Sequence, residues 1–180
     1  MRTSVIALAV AALLSACVSA VPYNDLVQKT PTYRNLDQQL KADRAADRVQ
    51  IEQLQNLVRL TLANGILFGE GAWELNDAGK AVLAKAAPAL KSLSGQRIVV
   101  KGFTDNVPIG SELRQRIAGN VELSKARADA VAAFLVAQGV PRDLITTVGL
   151  GEASPVASND TAAGRAKNRR VEIDVVEAPA

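Results

Sequence analysis

The chain has 180 residues, enough for one domain of ordinary size plus appendages. A hydrophobic content of 48% can fill a core, while aromatics at 3% leave few rings for stacking on bases or sugars. There is no histidine, which removes the commonest general base, the commonest metal ligand and every histidine-dependent triad. The formal charge of +3 is too mild to argue for nucleic acid, and the one basic run, Gly164 to Arg170, has no interleaved aromatic.

Taken in chain order, the first element is an export leader over residues 1–16. Met1 and Arg2 give a short positive start, and Val5 to Leu14 is an apolar run well below the ~20 residues that span a bilayer. Cys17 is the only cysteine, so no internal disulfide is possible. Leu14-Ser15-Ala16-Cys17 resembles the lipobox of bacterial lipoproteins, against the plainer reading of a signal peptide with an incidental cysteine. The resemblance implies acylation of Cys17, anchoring in lipid, and sorting to the outer membrane with the folded part facing the periplasm, because Val18 and not Asp follows the cysteine.

Residues 17–56 read as a tether. Its start is rich in proline and polar residues, and Leu36 to Val58 is predicted to be helical, with Leu40, Asp47, Ile51, Leu54 and Val58 as an imperfect seam. A solvated helix is the simpler reading; a weak homodimer through this 36–58 helix is the alternative. Residues 57–180 alternate between strand and helix. Val58 to Phe68 is predicted as a strand, with a turn at Asn64-Gly65. A helix follows, opened by Asn76 or Asp77 and closed by Gly95, which Pro88 should kink or split. Arg97 to Phe103 is a strand, and Asn120 to Gly139 a helix with Asn120 as its cap. Asp143 to Gly151 holds a short strand, Thr161 to Asn168 a small helix, and Val171 to Val176 a last strand with alternating faces. The fold class is α+β: a two-layer sandwich with helices on one face of a four-stranded mixed sheet, preceded by a helical tether.

The chemistry gathers at strand and helix ends. Asp105 falls where the apolar strand gives way to the stretch GFTDNVPI. Arg127 lies 22 residues later on a helix, with Leu123 and Val131 one turn either side, so it belongs to the inward stripe. An inward cation needs a partner. Either Asp105 is that partner in a structural ion pair, or both residues line a pocket for a ligand carrying opposite charges.

GFTDNVPI, then NVELSKARADAV, then GLGEASPVASNDTAAGRAKNRRVEIDV, together resemble the peptidoglycan-binding OmpA-like domain, over about residues 57 to 177. The lipobox makes the whole chain similar to the outer-membrane lipoproteins of that family. The resemblance implies a β-α-β-α-β-β fold and non-covalent binding of peptidoglycan through meso-diaminopimelate. It assigns Asp105 to the ligand's ammonium and Arg127 to its carboxylate, in a charge-assisted fork. Thr104 and Asn106 flank the acid and can orient it, Asn120 can cap the helix or contact ligand, and Arg169 is a candidate for the pocket rim or a surface salt bridge. Phe103 replaces the His or Tyr common before the TD pair, and the loop Asn106 to Gly119 is longer than in many members. Trp73 is expected to cover the core edge in preference to stacking on sugar.

The function expected is therefore a lipid-anchored tether between outer membrane and cell wall, with a wall-anchoring adaptor of a secretion or motor complex as the alternative. An enzyme is not expected. Histidine is absent, the one thiol is claimed by lipid, and neither a Ser-x-x-Lys nor a Gly-x-Ser-x-Gly motif is present. No cofactor and no metal are implied, and the partners are peptidoglycan and outer-membrane lipid, not nucleic acid.

Overall fold

The computed structural model describes residues 30–55 and 57–177. The expected leader, Cys17 and residues 18–29 lie outside the described residues.

The chain enters through α1 (Pro31–Gln39), where Pro31 sits in the first turn and the Thr30 hydroxyl accepts the Tyr33 N–H at 3.3 Å. A short α2 (Lys41–Ala45) follows, and Asp47, with φ of 53°, turns the chain out of helix. What comes next corrects the expected tether. Val49–Leu54 is a strand, β1, paired antiparallel with β2 (Leu57–Ala63). The physical reason is a period-two pattern inside a helix-friendly composition. Val49 and Ile51 are buried while Gln50 and Glu52 are exposed, and pairing with β2 overrides the helical preference of Gln, Glu and Leu. Residues 36–58 therefore do not form one helix, and the seam on which the alternative of a weak homodimer rested is absent among the described residues. The packed unit begins by residue 30, upstream of the boundary expected at 57, because Tyr33, Leu36 and Leu40 are core residues. Asp43 clasps this segment to the rest. Its carboxylate is 1% exposed and pairs with Arg48 at 2.5 Å and with Lys85 at 2.8 Å. Burial alone would raise this carboxyl, but Lys85 and Arg48 outweigh it and hold it below the usual carboxylate range.

After β2, Asn64–Leu67 forms one helical turn, α3, where a simple turn was expected. Then α4 (Asp77–Lys91) starts under the Asn76 side chain, which accepts the Gly79 N–H at 2.7 Å. Pro88 does not divide this helix. Its neighbours Ala87, Ala89 and Leu90 are all buried, so packing holds the last turn against the local cost of proline. The order continues with β3 (Gln96–Gly102), α5 (Asn120–Ala137), β4 (Ile145–Gly149), α6 (Ala162–Asn168) and β5 (Arg170–Glu177).

The sheet has five strands, one more than expected, in the order β1-β2-β5-β3-β4. Only β3 and β4 run parallel, joined across by α5; the other neighbours are antiparallel. Leu60, Ile173 and Val100 stand side by side in the register and, with Val58, Leu62, Ile98, Val171 and Val175, face a layer built from α1, α4 and α5. The opposite face carries Glu172 and Asp174. They are nonetheless buried, beneath Arg59 and Lys101, which grip Asp174 at 2.7 Å each, and Arg170, which grips Glu172 at 2.7 Å.

Candidate functional site

The site begins where β3 meets α5. A Cβ added to Gly102 would run into the Ser124 carbonyl, so only glycine lets strand and helix backbone approach this closely. Ser124 is wholly buried, and its hydroxyl donates to the Val121 carbonyl at 2.7 Å and accepts the Gly151 N–H at 2.9 Å. Gly151 in turn accepts the Thr104 N–H at 2.7 Å, and the Phe103 N–H donates to Arg170 at 3.0 Å. These bonds lock the exit of β3 and deliver Asp105 to the mouth of a cleft.

That cleft, of about 810 Å³, lies between the β2–α4 connection, the loop after β3, the start of α5 and the end of α6. Thr104, Asp105, Asn120, Arg127 and Arg169 all line it, and Asn106 does not. Asp105 is 7% exposed. One carboxylate oxygen accepts the Val107 N–H at 3.1 Å and the other accepts from Arg169 at 2.6 Å. The Thr104 hydroxyl donates to the Asp105 carbonyl, not its carboxylate, so it shapes the turn. Asn106 is exposed, and the backbone of Val107 does the orienting expected of it. Asn120 opens α5 but makes no side-chain cap; the N-cap position is Gly119. Its amide instead donates to the Val107 carbonyl at 3.0 Å, tying the long loop to the helix.

Arg127 and Asp105 form no direct ion pair; the acid's salt-bridge partner is Arg169, whose side chain is 40% exposed at the rim. Arg127 is 4% exposed, donates from Nε to the Ala72 carbonyl at 2.9 Å, and lies 5.5 Å above the centre of the Phe68 ring. Among the described residues no carboxylate reaches it. Burial, and secondarily the charge of Arg169, push its pKa down to about 10 against the opposing pull of Asp105, so it remains a cation at neutral pH. The geometry is thus a buried cation lacking a counter-charge beside an acid with free lone pairs. Such an arrangement can hold an anion and a cation side by side.

The NRRVE run splits by role. Asn168 is 1% exposed and bonds to Val156, Ala157 and Asn159, which fixes the loop before α6. Arg170 stacks on the Phe103 ring at 3.7 Å and pairs with Glu172. That explains why a ring without a polar handle suits position 103: its face is occupied by a buried guanidinium. Sequence reasoning missed Phe68, Ile109 and Arg165, which line the cleft, and Ser124, which braces its wall. Only Ser124 carried a signal, as a small polar residue on an otherwise apolar helix stripe. Trp73 is half-buried outside the core cluster, with the Arg116 guanidinium 4.5 Å from its ring centre.

A two-layer α+β domain with an acid and a buried arginine at its cleft defines a binding module of the OmpA-like class. The OmpA family matches residues 67–169, more than half of the chain, and the chain belongs to that family. It is 44% identical over 122 residues to the peptidoglycan-binding protein ArfA of Mycobacterium tuberculosis, a match covering 68% of this chain and 35% of ArfA. It is 39% identical over 114 residues to the outer-membrane lipoprotein YfiB of Pseudomonas aeruginosa, covering 63% of this chain and 64% of YfiB. The chain therefore spans less than two thirds of either relative. Its fold is similar to a solved structure from Pseudomonas aeruginosa described as the cell wall anchor of the T6SS, with a TM-score of 0.72 and 35% identity over 81% of this chain and 99% of that one.

Proposed function

We propose that the domain binds peptidoglycan non-covalently by capturing the zwitterionic end of meso-diaminopimelate. The observation that carries this reading is Arg127, a buried cation whose only hydrogen bond among the described residues is to a backbone carbonyl, set in one cleft with Asp105. A ligand carboxylate would supply the missing counter-charge in a two-pronged hydrogen bond. The ligand's ammonium, on the same carbon, would reach Asp105, which keeps unused lone pairs beside Arg169 and Val107. The peptidoglycan-binding relative ArfA supports the same ligand class. The role is binding, not catalysis.

We further place residues 1–16 as an export leader and Cys17 as an acylated anchor in the outer membrane, so that the domain tethers that membrane to the wall from the periplasm. The outer-membrane lipoprotein YfiB supports this, and no helix among the described residues is long and apolar enough to cross a membrane. The likeness to a T6SS wall anchor favours a second reading, in which the same grip on the wall serves a dedicated secretion machine.

The test is competition. Free meso-diaminopimelate should displace the protein from purified peptidoglycan, and free lysine, which lacks the distal carboxylate, should compete poorly. Leaving a charged donor unsatisfied costs roughly 1–3 kcal/mol or more, so lysine-type walls should bind at least ~5- to 150-fold more weakly. Equal binding to both wall types would return Asp105 and Arg127 to a structural role.

A further inference from the structure

A second cleft, of about 420 Å³, runs on from the first and shares Glu70, Gly71, Gly110 and Leu113 with it. Its distinctive lining is Trp73 and Arg116, with Glu70, Glu74 and Glu112 around them. Trp73 is the only tryptophan in the chain, and it sits here half-exposed instead of in the core. We infer that this cleft is a glycan subsite, in which Trp73 receives an amino-sugar ring of the peptidoglycan strand whose stem peptide occupies the Asp105–Arg127 cleft.

The inference rests on the diaminopimelate reading and extends it. A sugar ring has one apolar C–H face and a rim of hydroxyls and amides. The half-exposed indole, with the Arg116 guanidinium 4.5 Å from its ring centre, presents apolar aromatic surface in this cleft for the first. Exposed carboxylates of Glu70, Glu74 and Glu112 accept hydrogen bonds from the second. Three acids against one arginine also disfavour the free carboxylates of the stem peptide, which points to a neutral ring as occupant. The two clefts are continuous through Glu70, Gly71, Gly110 and Leu113, so a sugar and the stem peptide it carries can lie in them together. Arg116 ends the short 3₁₀ turn Leu113–Gln115 of the long loop, so that loop completes the subsite.

The single tryptophan makes the test direct. With the full chain, calorimetry compares the stem tripeptide ending in meso-diaminopimelate with the same tripeptide carrying its disaccharide. The disaccharide should raise affinity by about tenfold, the scale of one ring on an aromatic platform, and should shift tryptophan emission where the tripeptide alone does not. Trp73→Ala should abolish the gain from the disaccharide and leave tripeptide affinity unchanged, and Trp73→Phe should keep most of the gain. Equal affinity for both ligands in the native protein overturns the inference while leaving the diaminopimelate site standing. So does a Trp73→Ala variant that weakens both ligands equally, which would mean that the ring only braces the loop. If the tripeptide itself does not bind, the diaminopimelate reading fails and this subsite falls with it.

Discussion

Replacing Arg127 by methionine separates a ligand-binding arginine from a structural one more sharply than any other change. The guanidinium is 4% exposed and its pKa falls to about 10. A drop of that size amounts to roughly 3 kcal/mol against the charged form in the folded state. The sign follows from linkage. A base whose folded-state pKa is lowered destabilises the fold at every pH below that value, and the penalty fades only as the pH climbs above about 10. At neutral pH it is therefore fully present. Methionine removes it and keeps apolar volume beside Phe68. The losses are one hydrogen bond to Ala72, about 1 kcal/mol, and a ring contact of about 0.5–1 kcal/mol. The net expectation is a fold about 1 kcal/mol more stable, raising Tm by roughly 2–4 °C. Binding goes the other way. Loss of a desolvated charge pair costs about 2–5 kcal/mol, or ~30-fold to several thousand-fold in affinity for meso-diaminopimelate. Thermal unfolding followed by circular dichroism, with calorimetric titration of the free ligand, reads both quantities. A Tm several degrees lower with ligand binding intact would refute the reasoning and make Arg127 a structural residue.

Three further expectations concern stability and anchoring. Burial alone would raise the Asp174 carboxyl, but Arg59 and Lys101 hold it below the usual carboxylate range, so its contribution is present at neutral pH and lost as the pH falls through that lowered value. Asp174→Asn should cost ~2 kcal/mol at pH 7, less than for a fully buried pair because Arg59 and Lys101 keep 24% and 28% of their side-chain surface in water, and should flatten the acid limb of a urea-unfolding series below the ordinary carboxylate range. Gly102→Ala should destabilise by about 3 kcal/mol in urea unfolding, because the added methyl meets the Ser124 backbone carbonyl, which cannot move without shifting α5 off β3. Cys17→Ser should abolish acylation and release the protein from membrane fractions; mass spectrometry of the native amino terminus checks it, and an unmodified Cys17 in the native protein would remove the lipid anchor from the proposed function.

Much of this molecule was readable without coordinates, and the reason is local. The apolar runs of β2, β3 and β5, the cap Asn76, the small helix from about Thr161 and the stop at Gly139 each act within a few residues of themselves, so pattern and propensity place them. Asp105 and Arg127 stood out because charges at a strand exit and on an inward helix stripe are expensive unless they are used. What sequence could not decide depended on residues far apart. Val49 to Leu54 carries helix-forming side chains, and only the ladder with Leu57 to Leu62 makes it a strand and brings residues 30–55 into the domain. Pro88 leaves its helix undivided because the surrounding core, not the local chain, sets the geometry there. The partner of Asp105 could have been Arg127 or a ligand on spacing alone; the fold brings Arg169, 64 residues away, to the acid and leaves Arg127 buried against the Ala72 carbonyl and the Phe68 ring. Ion pairing is decided by a few ångströms of approach, and that distance is a property of packed tertiary structure and not of position along the chain.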